Sequence, residues 1–314
     1  MKILVTGGAG FIGHHVVARL ASRKVDVRIL DDFSTGSLAR LDGLPASIEV
    51  VTGSVLDDTA LDRAVAGCDS VVHLAAIASV AQSFERPREV DEVNAGGTIE
   101  VVLAAARHHL RRVVLASSSA VYGASSRLPC REDLPAMPMS PYATSKLAAE
   151  HYLHMLGREQ GVDTVALRYF NVFGPGQDPT SEYSAVVPRF VAAVLGGSRP
   201  VINGDPGITR DYLYVDDVVD ATLAACLPSV PSGLTVNVGS GIRQSLRDVL
   251  EATCVAAGRN AEPLIGPARP GDIQASQADI GLARRALGFR VAVPFREGVA
   301  RTVAWYRAHA VVPA

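Results

Sequence analysis

An apolar run, Ile3-Leu4-Val5-Thr6, breaks directly into Gly7-Gly8-Ala9-Gly10-Phe11-Ile12-Gly13, and a helical pattern begins where the glycines end. Glycines at G-x-x-G-x-x-G spacing let the backbone turn tightly, approach an anion closely and pack a helix against the preceding strand. The amides of such a turn and the N-terminus of its helix then face a pyrophosphate. A glycine pattern alone marks many turns. Its weight here comes from Asp31, which closes the next apolar run, Val27-Arg28-Ile29-Leu30, about 20 residues further on, where a carboxylate can accept from both hydroxyls of a ribose. A carboxylate there repels a 2′-phosphate, and no arginine follows it immediately, so NAD is expected rather than NADP. Asp32, Ser34, Thr35 and Gly36 form the following loop, which either touches the adenosine or is a solvated turn.

Further apolar runs at Ile48 to Val51, Val71 to Leu74 and Val113 to Leu115 alternate with helical stretches, among them Pro87 to His109 and Pro141 to Gln160. Near-continuous β-branched runs suit strands buried on both faces of a parallel sheet. The expected class is therefore α/β, a Rossmann-type doubly wound parallel sheet. Beyond Arg168 the pattern loosens into Gly/Pro-rich connections such as Gly174-Pro175-Gly176 and Gly196-Gly197, which suits a smaller C-terminal lobe. Val236-Asn237-Val238 reads as a late strand rejoining the main sheet. The expected division is thus 1–170 for the dinucleotide, rejoined by about 211–240, with 171–210 and 241–314 forming the second lobe.

Composition narrows the partners. With 30 basic and 32 acidic side chains, and no basic run interleaved with aromatics, nucleic acid is not expected. Cys68, Cys130, Cys226 and Cys254 are scattered without a C-x-x-C pair, so neither zinc nor a disulfide framework is indicated. The histidine pairs His14-His15, His108-His109 and His151/His154 have no carboxylate or cysteine at ligand spacing, and no metal is expected. No apolar run reaches about 18 residues, and the N-terminal apolar run is too short for a signal peptide, so no membrane span and a cytoplasmic location are expected.

Tyr142-Ala143-Thr144-Ser145-Lys146 opens a helix, which sets Tyr142 and Lys146 on one face. A phenol serving as a base near neutrality needs its pKa lowered by about 3 units, roughly 4 kcal/mol, which an adjacent ammonium and a positively charged nicotinamide ring can supply. The run Val113 to Ala116 delivers Ser117-Ser118-Ser119 at its C-terminal end, the edge where open α/β sheets bind ligands. A serine there can hold or relay a proton, or merely cap the strand.

These segments, with His73-Leu74-Ala75-Ala76, Ser117 to Gly123, Arg168-Tyr169-Phe170-Asn171-Val172-Phe173-Gly174-Pro175-Gly176 and Arg210-Asp211-Tyr212, resemble the extended short-chain dehydrogenase/reductase family of nucleotide-sugar epimerases and dehydratases over nearly the whole chain. Within it the likeness is greatest to UDP-hexose 4-epimerases. The resemblance implies transient oxidation at C4 by bound NAD, a 4-keto sugar, and hydride return to the opposite face. It makes Tyr142 the acid/base, Lys146 its tuning partner on the nicotinamide ribose, and Ser118 the serine on the sugar, with Ser117 and Ser119 as second choices. It adds cofactor contacts from Gly7, Gly10, Phe11, Ile12, Gly13 and Asp31 to Ser54, Val55, Leu74, Ala75, Ala76, Asn94, Ser117, Tyr169 and Phe170. Ser79, Asn171, Val186, Val187, Asn203, Arg210, Arg269 and Asp272 match positions on the nucleotide sugar, and a guanidinium such as Arg210 can grip two pyrophosphate oxygens. A homodimer through the helices around Pro87 to His109 and Tyr142 to Gln160 is also implied.

Departures matter as well. Ala78 stands where relatives often carry lysine, and Ser54 where they carry an adenine-reading aspartate. Ser276 replaces an aromatic residue that narrows some hexose pockets, which leaves room for an N-acetylhexosamine. Gly176 replaces an arginine found in some enzymes acting on uronic acids. The competing reading is a 4,6-dehydratase or decarboxylase. Dehydration needs a carboxylate near C5 and C6, and Ser118-Ser119-Ala120 offers none. A regulator that keeps the fold without catalysis usually drops the tyrosine or lysine, and both are here.

Overall fold

The computed structural model describes residues 1–125, 127–180, 185–268 and 273–309. Its strands are β1 (Lys2–Thr6), β2 (Asp26–Asp31), β3 (Glu49–Thr52), β4 (Ser70–His73), β5 (Arg112–Ser118), β6 (Asp163–Tyr169), β7 (Asn171–Phe173), β8 (Val201–Asn203), β9 (Thr209–Tyr214), β10 (Leu234–Val238), β11 (Arg243–Ser245) and β12 (Leu264–Gly266). The helices are α1 (Phe11–Ser22), α2 (Asp58–Val65), α3 (Val80–Glu85), α4 (Pro87–Asp91), α5 (Gly97–Arg107), α6 (Pro141–Gln160), α7 (Val186–Leu195), α8 (Val215–Ala225), α9 (Leu246–Ala257), α10 (Gly281–Leu287) and α11 (Phe295–Ala308).

The main sheet runs β10-β6-β5-β4-β1-β2-β3, with every neighbouring pair parallel. Side chains alternate across it, as the period of two requires. Ile3, Val5, Ile29 and Val72 pack toward α1 and α8 on one face. Leu4, Leu30, Val71 and Val113 pack toward α2, α5 and α6 on the other. The expected strands are all present, and β10 rejoins the sheet beside β6. Because β1 lies between β4 and β2, the order reverses there and opens a crevice at the carboxyl ends of β1 and β4.

Two helices position the site. α6 spans the expected residues: Ser140 caps it by accepting from the Ala143 amide at 3.1 Å, Pro141 fits the first turn, and Gly161 ends it at φ +71°. The stretch from Pro87 is not one helix. A π-turn over Glu92–Gly96 separates α4 from α5, which ends at Arg107 rather than His109. The Asn94 side chain on that turn binds the backbone of Ile77 and the hydroxyl of Ser145, contacts between distant segments that helical spacing does not reveal.

The smaller sheets, β11-β9-β7 and β12-β8, lie in the later part of the chain with α7, α9 and α11. There α9 begins with a capping box between Ser245 and Asp248.

Candidate functional site

The glycine loop fills the crevice. A Cβ at Gly13 would stand 2.0 Å from the Gly7 carbonyl oxygen, and one at Gly7, where φ is +67°, would stand 2.8 Å from the Ala75 nitrogen. These two glycines are therefore required by the protein's own packing. Gly10 differs: its Cβ would meet only the Gly7 carbonyl oxygen, at 3.1 Å. The open side above Gly10, at the N-terminus of α1, is the cradle a pyrophosphate needs, and the residues present fit a dinucleotide.

Asp31 closes β2 with its carboxylate buried, accepting from the Ala9 amide at 2.8 Å and the Phe33 amide at 2.9 Å. Each oxygen retains a lone pair for a ribose hydroxyl. Gly36 packs over this carboxylate, since a Cβ there would lie 2.7 Å from Oδ1. Asp32 binds the amide and hydroxyl of Ser34, and Thr35 accepts from Arg40 at 3.2 Å, so the loop is internally braced. Ser54 accepts from the Leu56 amide at 3.2 Å, and Val55 packs where a Cβ on Gly97 would lie. Phe11 and Ile12 are half-buried at the start of α1.

Across the crevice, β4 hands on to half-buried Leu74, Ala75 and Ala76. Beyond them Ser79 caps α3 by accepting from the Gln82 amide at 3.1 Å.

On α6, Tyr142, Lys146 and Glu150 stand at four-residue steps, one above another. Burial raises the Tyr142 phenol above its ordinary pKa, and the Ser118 hydroxyl facing it offsets part of that rise. Lys146 is buried and donates to the Ala116 carbonyl at 2.9 Å. Burial pulls its ammonium down to about 8, while the Glu150 charge opposes the fall.

The serines separate by partner. Ser117 is buried and donates to Glu150. Ser118, at the end of β5, faces Tyr142 and also accepts from the Ala120 amide at 3.1 Å. Ser119 begins the short turn that follows. Glu150 is the residue the sequence reading missed. Its signal was present as Tyr-x-x-x-Lys-x-x-x-Glu, a stripe at helical spacing. Arg168 completes the pair with Glu150 and lies over the Tyr122 ring, 4.8 Å from its centroid. The Tyr122 hydroxyl donates to Asn237 at 2.7 Å, and burial pushes that phenol up to about 12.

Other expected residues are structurally engaged. The Tyr169 hydroxyl meets Thr222 at 2.7 Å within the core, and the Phe170 amide donates to Val238 at 2.9 Å. Asn171 donates to the Asp211 carbonyl at 3.2 Å, and Arg210 donates to the Thr209 carbonyl at 3.0 Å. Asp211 itself is buried and accepts from the Ser240 amide and hydroxyl and from the amides of Gly241 and Ala278, tying β9 to two neighbouring loops. Val186 and Val187 open α7, and Asn203 closes β8. Arg269 and Asp272 lie outside the described residues. Among the described residues, no group of three histidine, cysteine, aspartate or glutamate side chains is arranged to hold a metal ion, and no helix is long and apolar enough to cross a membrane.

Residues 3–239 match the NAD dependent epimerase/dehydratase family. Over 311 residues the chain is 40% identical to a UDP-glucose 4-epimerase of Mycolicibacterium smegmatis, covering 98% of this chain and 99% of that protein. The crystal structure of a Thermotoga maritima UDP-glucose 4-epimerase with UDP-glucose superposes with a TM-score of 0.94 at 33% identity, covering 99% of this chain and 100% of that one. A Thermus thermophilus UDP-glucose 4-epimerase in complex with NAD gives 0.89 at 38% identity, covering 98% and 99%. The glycine cradle and the Tyr142/Lys146 helix thus sit in a chain that belongs to the NAD dependent epimerase/dehydratase family, with NAD as its cofactor.

Proposed function

We propose that the chain is a UDP-hexose 4-epimerase, interconverting UDP-glucose and UDP-galactose by oxidation and re-reduction at C4. The observation that carries this reading is Ser118 at the end of β5 facing Tyr142 at the carboxyl edge of the sheet, with Lys146 one turn along α6 and the glycine cradle beside it. Tyr142 takes the proton of the sugar 4-hydroxyl and later returns it. Ser118 holds the same oxygen, and the buried Lys146 ammonium favours the phenolate. NAD, which the glycine loop and Asp31 would hold, would supply a reversible hydride acceptor at C4. The 1–170 and 211–240 segments hold the dinucleotide. The nucleotide sugar lies against 171–210 and 241–314, including Asn171, Arg210, Arg269 and Asp272.

Proton NMR of the protein with UDP-glucose tests the proposal: signals of the C4-inverted sugar are expected, and a keto-deoxy product would overturn it. The position of Glu150 favours inversion over dehydration. This carboxylate near the serines is bound by Ser117 and Arg168, so it is committed within the protein. Ser276 favours a wider substrate range, because it is small and buried and its hydroxyl has no hydrogen-bond partner among the described residues. UDP-N-acetylglucosamine should therefore be turned over at a measurable fraction of the UDP-glucose rate.

A homodimer is supported by exposed Tyr152 and Met155 on α6 and Phe84 on α3, apolar side chains beside the helices expected to pair. Sedimentation showing only monomer would contradict it. A cytoplasmic location is supported by four cysteines standing as free thiols.

A further inference from the structure

Buried His73 ends β4, between the glycine loop and α5, and its hydrogen bonds have only one consistent direction. Thr98 has a single hydroxyl proton, which it donates to the Asn94 carbonyl at 2.7 Å. The 3.2 Å contact between His73 Nε2 and the Thr98 oxygen is therefore made by an Nε2–H. A neutral imidazole protonated at Nε2 has its lone pair on Nδ1, so Thr6 donates to Nδ1 at 2.8 Å. The Thr6 oxygen in turn accepts from the Ala75 amide at 3.2 Å. With the proton on Nδ1, the Thr6 hydroxyl would lose its acceptor and the Nε2 lone pair would face the Thr98 oxygen. Burial, reinforced by the Lys146 charge, holds the imidazole pKa down to about 3, so it stays neutral.

Both ends of this chain reach the site. Ala75 lies against Gly7 of the phosphate loop. At the other end, Asn94 donates from its side chain to Ser145 at 3.0 Å, and Ser145 donates to the Tyr142 carbonyl at 2.9 Å. We infer that His73, held as the Nε2–H tautomer, is a positioning residue: it ties the seating of Ala75 over the phosphate loop to the π-turn at Asn94, and so to the helix end carrying Tyr142. Its effect on turnover rests on the epimerase reading; its tautomer and its coupling to α6 do not.

Long-range proton–nitrogen NMR spectra of the full chain labelled with nitrogen-15 histidine read the tautomer directly. His73 is expected as Nε2–H, without titration between about pH 5 and about pH 8. Thr98→Val removes the acceptor for Nε2–H. It should bring in the Nδ1–H form, shift the amide resonances of Tyr142 to Lys146, and lower kcat about tenfold with KM within about twofold, while Thr98→Ser restores all three. Should Thr98→Val fail to fold, Thr6→Val breaks the other end of the same chain: the Nε2–H form should persist because Thr98 still accepts from it, while the amide resonances of Tyr142 to Lys146 shift, and unmoved resonances would overturn the inference. An Nδ1–H or titrating His73 in the unaltered protein, or a variant that switches tautomer without moving those amide resonances, overturns the inference. Inactivity of the unaltered protein toward UDP-hexoses would overturn the functional reading alone, since the spectra need no substrate.

Discussion

Arg168 holds Glu150 through two nitrogens, Nε to Oε1 at 2.9 Å and Nη2 to Oε2 at 2.7 Å, in an interior that leaves the side chains 8% and 3% exposed. A pair this deeply desolvated is costly to split, because the remaining charge has no water to turn to. Glu150→Gln should destabilise the protein by about 3–5 kcal/mol, read as a lower urea midpoint. Adding Arg168→Leu should recover part of that loss, because the stranded cation is then gone.

The glycine loop separates folding from binding. In Gly13→Ala the new Cβ would stand 2.0 Å from the Gly7 carbonyl oxygen, so both the melting temperature and NADH binding should fall. Gly10→Ala meets only one atom, at 3.1 Å, and its φ of −76° suits any residue. Its stability should stay within about 1 kcal/mol of the unaltered protein, while NADH affinity drops at least about tenfold because the pyrophosphate loses its close approach. Thermal unfolding and fluorescence titration distinguish the two.

Lys146 sets an alkaline limit on activity. Its pKa is held down to about 8 by burial, so the ammonium that favours the Tyr142 phenolate is lost as pH rises through that value. The profile of kcat against pH should fall above about 8 rather than near the 10.4 of an exposed lysine. Tyr142→Phe should lower kcat by roughly 10²–10⁴-fold at every pH and leave NADH binding intact.

Acid should loosen the joint between α1 and the loop after β7. His14 Nδ1 bonds the Gly10 carbonyl at 3.0 Å, and His15 Nε2 bonds the Pro175 carbonyl at 2.9 Å. Burial, with the His15 charge adding to it, takes His14 down to about 4, and burial lowers His15 as well. A histidine with a depressed folded pKa contributes stability that is full above its unfolded value of 6.5 and is lost as pH falls through about 4. Between pH 7 and 4.5 the His14 contribution should fall by about 2 kcal/mol, and His14→Asn should flatten that part of the stability curve.

Much of this was legible from residue types at fixed spacings. The glycines, Asp31 and the Tyr142/Lys146 pair depend on local backbone geometry, and local geometry is what sequence patterns encode. The choice among Ser117, Ser118 and Ser119 was not legible. Neighbouring residues at a strand end point to opposite sides, and only the positions of residues on α6 show that Ser117 turns toward Glu150 while Ser118 turns toward Tyr142. The π-turn was hidden for a similar reason. It is pinned by Asn94 reaching Ile77 and Ser145, and helical periodicity carries no information about such contacts. The engagement of His14 and His15 was hidden as well, because the loop at Pro175 and Gly176 folds back on them from about 160 residues away.

The place of β10 bears on how the chain is made. Its pairing with β6 covers an edge of the main sheet, and the three carbonyls that accept from buried Arg112, those of Ala225, Leu227 and Val230, arrive just before it. During synthesis the earlier strands therefore wait with a bare backbone edge, and Arg112 with Asp163 as its partner from β6, until residues 170–233 have left the ribosome. That interval, rather than any moment in the finished protein's life, is when this sheet is most open to pairing with another chain.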